Sequence, residues 1–148
     1  MCIRDSVYMA GYPTLFGTQF KGSCTVGTVD LVGTPIHPGG VIFNTTITKS
    51  GTTYLNSLGT QLNGIIKGAV KSSGKWATYV DPTKTFKGHG FCDSQAQWLN
   101  PMNATEVLTI NSLTSYSWTR TYLDPFSFHP TVTGQLNGYK PAFVTAGL

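Results

Sequence analysis

One histidine of this chain stands where acid–base chemistry is favoured. His129 is followed directly by Pro130 and shortly afterwards by a Gly134-Gln135 dipeptide. Proline is common in the first turn of a helix, so the pattern predicts a loop that ends at His129 and a helix opened by Pro130. An imidazole held at such a junction can exchange protons near neutral pH. A structural helix entry is the alternative interpretation, because the same dipeptide recurs at His37-Pro38.

Two further blocks precede this histidine in the chain. Residues 86–92 read Phe-Lys-Gly-His-Gly-Phe-Cys, after the apolar run 77–81 and before Trp98. Residues 8–16 contain a short apolar run, then a Gly-Tyr-Pro turn at 11–13, and end in Thr-Leu-Phe. Taken in their order along the chain, the three blocks resemble the secreted SGNH, or GDSL-type, ester hydrolases. The resemblance covers nearly all of the chain after its first six residues.

The resemblance implies a fold and a reaction. It implies an α/β protein with a partial three-layer, flavodoxin-like SGNH hydrolase fold whose parallel sheet is incomplete at the N-terminus. The reaction would be hydrolysis of a small-molecule, lipid or polysaccharide ester through an acyl-enzyme, without a cofactor. The Gly-Asp-Ser segment that supplies the family's nucleophilic serine is absent, as is its Asn-Asp segment. We therefore expect residues 7–148 to be the C-terminal portion of one hydrolase domain, inactive alone.

The resemblance assigns His129 as the general base and leaves the partner of its ring open. Many members carry an aspartate three residues earlier, where this chain has Phe126. Asp124 could serve instead, although Pro125 also makes it a turn residue. Some members use a backbone carbonyl at the position of Phe126, and we favour that arrangement. His89 is assigned a supporting role, and His37 none.

The first residues and the cysteines bear on the compartment. Residues 1–6, Met-Cys-Ile-Arg-Asp-Ser, resemble a translated sequencing adapter from a metagenomic reading frame and not a signal peptide; a natural amino terminus is the alternative. Without Cys2, the pair Cys24 and Cys92 remains. In a secreted protein this pair predicts a disulfide, whereas a cytosolic protein would keep two buried thiols.

Composition excludes several function classes. The chain has 148 residues, of which 40% are hydrophobic and only 11% charged, and no apolar run is long enough to span a bilayer. With so few charges, the surface must rely on neutral polar groups, which is typical of secreted proteins. The net charge of +4 is scattered, and Lys67 and Lys71 fit a helix C-terminus better than a nucleic-acid surface. No cysteine or histidine spacing predicts a metal site.

Hydrophobic periodicity predicts one long amphipathic helix. Thr52 or Thr53 would cap its start and Gly74 would end it. The predicted sheet-facing side carries Tyr54, Leu55, Leu58, Leu62, Ile65, Ile66, Ala69 and Val70. The predicted solvent side carries Asn56, Thr60, Asn63, Lys67 and Lys71.

The remaining pattern predicts a βαβα unit. Residues 7–11 and 76–80 are short apolar runs, typical of parallel strands buried on both faces. The long loop 82–128 should contain local structure, with 107–110 as a short strand or helical turn, and residues 17–50 should be irregular. Ligands of such sheets bind beyond the carboxyl ends of the strands.

A different class of function also fits the composition. Asn44 and Asn103 stand in glycosylation motifs, and Thr, Gly and Asn are plentiful. A secreted carbohydrate-binding or surface module, with an all-β sandwich, could offer Trp76, Trp98 and Trp118 as faces for stacking on sugars. This alternative predicts little helix.

Overall fold

The computed structural model describes residues 6–32, 41–112 and 115–148, so residues 1–5 of the predicted leader, Cys2 among them, and His37 lie outside the described residues. The elements follow in the order β1 (Val7–Ala10), β2 (Ser23–Val32), β3 (Val41–Thr48), α1 (Lys49–Ser72), β4 (Ala77–Val80), β5 (Met102–Ser112), β6 (Ser115–Leu123), α2 (Val132–Gly134) and α3 (Lys140–Thr145). A 3₁₀ turn precedes β4, and a π-helical turn, Gln135–Tyr139, joins α2 to α3.

Two of these strands form a parallel pair. β1 lies beside β4, with Val7 opposite Ala77 and Ala10 opposite Val80. α1 lies between them in the chain and contacts β4. The predicted α/β class, with parallel strands and helices, is confirmed. The predicted burial of β1 on both faces is wrong, because Val7 is 54% exposed and Met9 is 47% exposed.

The long helix begins earlier than predicted. Thr48 is its N-cap, and the Thr48 hydroxyl accepts a hydrogen bond from the Gly51 amide at 3.2 Å. The helix ends at Ser72, and Gly74 then takes a positive φ of 72°, which is cheap for glycine. No helix in the described part of the chain combines the length and apolarity of a membrane span.

The faces of α1 match those that periodicity predicts only in part, since Leu55, Ile66 and Val70 turn inward as expected but other residues do not. Tyr54 and Ile65 are 63% and 70% exposed, whereas Asn56 and Asn63 are partly buried. The two asparagines turn inward because the segment after β1 carries backbone groups that no strand pairs. Each amide side chain offers both a donor and an acceptor, which an aliphatic side chain lacks.

A second sheet replaces the predicted irregular regions. Its strand order is β3-β2-β5-β6, with antiparallel pairs β2–β3 and β5–β6 and a parallel pair β2–β5. Residues 23–32 and 41–48 are therefore strand, and residues 107–110, predicted as a short strand or a helical turn, are part of β5. Gly27 faces Met102 so closely that a Cβ atom would collide with the Met102 carbonyl. The all-β expectation of a carbohydrate-binding sandwich does not fit α1 and the parallel pair.

The core lies where this second sheet meets the segment after β4. Six residues are almost fully buried there: Phe16, Cys24, Val26, Phe86, Phe91 and Leu99. The structure contains the predicted bond between Cys24 and Cys92, whose Cα atoms are 5.7 Å apart. The disulfide therefore ties β2 to the 86–92 segment beside the buried ring of Phe91.

Loss of this disulfide should strongly destabilise the chain. A Cys24→Ala, Cys92→Ala double variant is expected to lose about 4 kcal/mol of unfolding free energy, because the bond joins residues 68 positions apart and restricts the unfolded chain. Urea unfolding measures the loss, and a non-reduced digest identifies the linked peptides. Cys2→Ser, which leaves the bond intact, is the control. Equal midpoints for the double variant and the unaltered chain would contradict the prediction.

Candidate active site

The loop that carries His129 is built from consecutive tight turns. The Asp124 side chain accepts a hydrogen bond from the Phe126 amide at 2.8 Å, and the Asp124 carbonyl accepts one from the Ser127 amide at 2.9 Å. The Phe126 carbonyl accepts a hydrogen bond from the His129 amide at 3.0 Å. These local bonds satisfy the backbone between β6 and α2 without regular structure.

The same loop is fixed to residues 98–100 by the backbone. The Phe128 amide donates to the Asn100 carbonyl at 3.0 Å, and the Asn100 amide donates to the His129 carbonyl at 2.8 Å. The next step is the hydrogen bond from the Thr131 amide to the Trp98 carbonyl, at 2.8 Å. His129 is therefore bracketed on both sides by strand-like pairing.

Phe128 adopts a conformation that non-glycine residues rarely adopt. Its φ is +62°, and its ring lies edge-on to Phe91 and Phe16 at centroid distances of 5.4 and 6.3 Å. A left-handed residue costs on the order of 1–2 kcal/mol, which burial of the ring offsets. With the Phe128 ring in the core, the neighbouring His129 side chain is exposed and lines a cavity.

The predicted helix start needs a correction. Pro130 is not the first helical residue, because α2 begins at Val132 with Thr131 as its N-cap. The Thr131 hydroxyl accepts a hydrogen bond from the Gly134 amide at 3.1 Å. Pro130 instead lies in an isolated antiparallel bridge with Leu99, which is why the helix starts two residues later.

His129 lines a cavity of about 620 Å³. This cavity lies at the carboxyl end of β1, between the 127–130 loop and the C-terminal helices, and Ile66 of α1 forms part of its wall. Its lining residues are Met9, Ala10, Gly11, Tyr12, Pro13, Leu15, Ile66, Ser127, Phe128, His129, Pro130, Gln135, Tyr139 and Phe143. A concave, mostly apolar space with a few polar groups is typical of a small-molecule site.

The Gly-Tyr-Pro turn forms the floor of this cavity and is held from two directions. The Asn63 side chain accepts from the Tyr12 amide at 2.7 Å and donates to the Tyr12 carbonyl at 2.8 Å. The Tyr139 hydroxyl donates to the Gly11 carbonyl at 3.0 Å. Burial, with smaller contributions from Tyr12 and Tyr79, raises the pKa of Tyr139 to about 12. The sequence pattern places Asn63 on the solvent side of α1 and assigns no role to Tyr139, because both contacts are to a turn distant in the chain.

The structure separates the two candidate partners of the His129 ring. The Asp124 carboxylate is exposed and engages the Phe126 amide, and the Phe126 carbonyl engages the His129 backbone. Within the described residues, neither group hydrogen-bonds the His129 imidazole. A carbonyl oxygen has a second lone pair, so the Phe126 carbonyl keeps capacity for a ring donor.

His89 lies away from the cavity and orders the segment that anchors His129. Its Nδ1 lies 2.7 Å from the Ala96 carbonyl, so Nδ1 carries the proton, and its ring stacks on Trp98 at a centroid distance of 3.4 Å. The His89 carbonyl accepts from the Trp98 amide at 3.0 Å. Trp98 in turn binds Thr131, so His89 and His129 are connected through one strand-like segment. This stacking also occupies Trp98, which the sugar-binding alternative needs exposed.

Among the described residues, no group of three His, Cys, Asp or Glu side chains could hold a metal ion. No family model matches the chain, and no curated protein matches it. The crystal structure of an extracellular lipase from Streptomyces rimosus is similar, with a TM-score of 0.55 and 23% sequence identity. The chain has a lipase-like fold. The match covers 95% of this chain and 42% of the lipase, so the chain spans less than half of the length of that enzyme.

Within this lipase-like fold, Tyr139 should make stability depend on alkaline pH. Its folded pKa of about 12 lies above the ordinary value of 10.0, so its contribution is complete below pH 10 and is lost as pH rises through about 12. Tyr139→Phe should lower the free energy of unfolding by about 1 kcal/mol at pH 8, because it removes the hydrogen bond to Gly11. Between pH 10 and 12 this variant should lose less further stability than the unaltered chain. Urea midpoints at each pH measure both effects.

The exposed Tyr54 offers the matched control for Tyr139, because Tyr54→Phe changes no described hydrogen bond of the phenol. It should leave both the stability at pH 8 and the alkaline slope unchanged. If Tyr139→Phe and the unaltered chain lose stability equally between pH 10 and 12, the phenol of Tyr139 does not carry the effect.

Proposed function

We propose that this chain is the C-terminal part of a secreted ester hydrolase of the SGNH type, with His129 as its general base. The observation that carries the proposal is the placement of His129. It lies on a strained, doubly anchored loop and lines a cavity at the carboxyl end of a parallel strand, in a lipase-like fold. Groups that catalyse reactions need such fixed positions.

The reaction is ester hydrolysis in two steps. His129 takes the proton of a serine hydroxyl supplied by the upstream part of the enzyme while the serine oxygen bonds to the ester carbonyl carbon. The tetrahedral intermediate expels the alcohol, which receives the proton from His129, and an acyl-serine remains. Water then attacks the acyl group with His129 again as base, releasing the carboxylic acid and the free serine. Donors in the upstream part stabilise the oxyanion.

Exposed apolar surface supports the proposal that the domain is larger than this chain. The β1–β4 pair is a two-stranded sheet, which is marginal on its own, and Val7 and Met9 of β1 are exposed. α1 adds a stripe of exposed apolar side chains along one side: Tyr54, Leu58, Leu62 and Ile65. Apolar patches of this kind mark surfaces that a partner covers, and here further strands and helices of the same domain would cover them.

For the orientation of His129 we propose the Phe126 carbonyl in preference to Asp124. The Asp124 carboxylate closes a turn with the Phe126 amide, so recruiting it to the imidazole would break that bond. The Phe126 carbonyl is already positioned within the His129 turn. His89 supports the site through Trp98 and transfers no proton.

Secretion is part of the same proposal. The Cys24–Cys92 disulfide and the low charge content fit an oxidising compartment. The substrate is an ester of a small molecule, a lipid or a polysaccharide, and no cofactor takes part.

This chain alone should not turn over 4-nitrophenyl acetate above the buffer rate. A histidine without a nucleophile and oxyanion donors gives only weak general-base help to water, because the members of a triad act as a unit. Release of 4-nitrophenol measures the rate, with His129→Ala as the control. Saturable hydrolysis that disappears in His129→Ala would show that the chain contains its own nucleophile.

Joining the chain to an upstream segment with the serine should produce an esterase. His129→Ala should then lower kcat by a factor on the order of several thousand. Asp124→Asn should change kcat little if the Phe126 carbonyl orients the ring, and a large loss would assign that role to Asp124. His89→Ala should cost less than His129→Ala. Equal loss in the two histidine variants, with folding intact by circular dichroism, would contradict the assignment of the base.

A further inference from the structure

Two N-glycosylation motifs lie in one row of the four-stranded sheet. They are Asn44-Thr45-Thr46 on β3 and Asn103-Ala104-Thr105 on β5. Asn44 is opposite Thr28 of β2, and Thr28 is opposite Asn103. Residues that are directly opposite on neighbouring strands project from the same face of a sheet. Both asparagines therefore lie on one face, and they differ in the strand that carries them.

Asn103 is held inside the sheet, because β5 lies between β2 and β6. Its side-chain oxygen accepts a hydrogen bond from the Thr28 hydroxyl at 3.3 Å, and its backbone carbonyl accepts one from the Asp124 amide at 2.9 Å. The Asn103 side chain is only partly exposed. A glycan is bulky and belongs on a surface asparagine, so the folded chain disfavours one at Asn103.

Asn44 is exposed, and so is the threonine that completes its motif. Side chains of a strand alternate between two faces. In β3 this alternation leaves Ile42, Asn44 and Thr46 exposed, whereas Thr45 and Ile47 are partly buried. The Asn44 amide and the Thr46 hydroxyl, the two groups that define the motif, thus project from the same solvent-facing side. A three-residue motif recurs by chance, so it is this placement that distinguishes Asn44 from Asn103.

The edge of β3 lacks the usual protection against pairing with another chain. Within the described residues β3 pairs with β2 alone, so its other edge is free. Natural proteins commonly protect such edges with charged side chains or proline. β3 reads VIFNTTIT and contains neither. Uncharged segments of high strand propensity are prone to aggregate, and Asn44 lies in the middle of this one.

We propose that Asn44 carries an N-linked glycan and that this glycan keeps the free edge of β3 from pairing with a second chain. In the modification, Asn44 Nδ2 forms a bond to C1 of the first sugar of a lipid-linked oligosaccharide. The bond from C1 to the lipid diphosphate breaks, the diphosphate leaves, and the amide releases one proton. An oligosaccharyltransferase of a eukaryotic secretory pathway catalyses this step. The inference rests on the proposed secretion and not on the proposed ester hydrolysis.

Secretion of the chain from yeast behind a signal peptide tests the site. Peptide-N-glycosidase in heavy-oxygen water converts each glycosylated asparagine to a labelled aspartate, which mass spectrometry locates. Secreted protein should carry the label at Asn44 and little at Asn103. Protein retained in the cells is measured as well, because sugar transfer precedes folding, and label at Asn103 should be concentrated there. Thr46→Ala should abolish the label at Asn44, and Thr46→Ser, which keeps the hydroxyl, should retain it.

Three variants test the protection of the β3 edge. Asn44→Gln lacks the glycan and should form concentration-dependent oligomers, measured by light scattering. Asn44→Lys also lacks the glycan but places a charge on the edge strand, so it should stay as monodisperse as the glycosylated chain. Asn103→Gln is the matched control, since it removes the other motif and should leave the size unchanged. Circular dichroism checks that the variants fold alike.

Four results decide between the parts of the inference. Absence of label at Asn44 in both the secreted and the retained protein would overturn the site. Equal label at Asn44 and Asn103 in secreted protein would show that position in the sheet does not govern the modification. Asn44→Gln that stays monodisperse, or Asn44→Lys that associates equally, would overturn the protective role. An Asn44 glycan on a chain that gives no esterase when joined to the upstream segment would refute only the proposed function.

Discussion

The arrangement around His129 depends on the burial of one aromatic ring. Phe128 keeps a left-handed backbone because its ring packs against Phe16 and Phe91, both about 1% exposed. Phe91 is itself held by backbone bonds to Leu15 and Gly17, beside the Cys24–Cys92 disulfide. The position of the candidate base therefore depends on the packing of the core, and a change in the core would move the imidazole.

The second constraint is the position of the turn after β1, which two asparagine side chains of α1 hold in place. Asn56 and Asn63 bond both the amide and the carbonyl of Phe16 and Tyr12. These bonds satisfy backbone groups that a loop cannot pair internally, and they place the turn under the cavity. The rotation of α1 that brings the asparagines inward also leaves an apolar stripe exposed. The hydrogen bonds to the loop and the exposed apolar stripe are thus two consequences of the same helix orientation.

The proposed chemistry divides between this chain and the rest of a larger domain. The described residues contain the proposed base, its anchored loop and an apolar cavity, whereas the nucleophile and the oxyanion donors belong to the proposed upstream part. The match covers 42% of the similar lipase, which therefore extends well beyond the matched region. In this proposal, further strands of a parallel sheet would pair with a free edge of the two-stranded β1–β4 sheet.

Local patterns in the sequence determined the elements that are short-range in origin. Apolar runs predicted β1 and β4, periodicity predicted α1, and the cysteine count predicted the disulfide, because each depends on neighbouring residues or on residue type. The sequence pattern does not predict β2 and β3, because Pro35, Pro38 and Gly39-Gly40 between them indicate irregular structure and the parallel partner of β2 lies some 75 residues away. Sequence also drew attention to His129, although its catalytic role stays a proposal. Only the tertiary structure decided the inward asparagines, the left-handed Phe128 and the place of Tyr139, because each satisfies a contact with a segment distant in the chain.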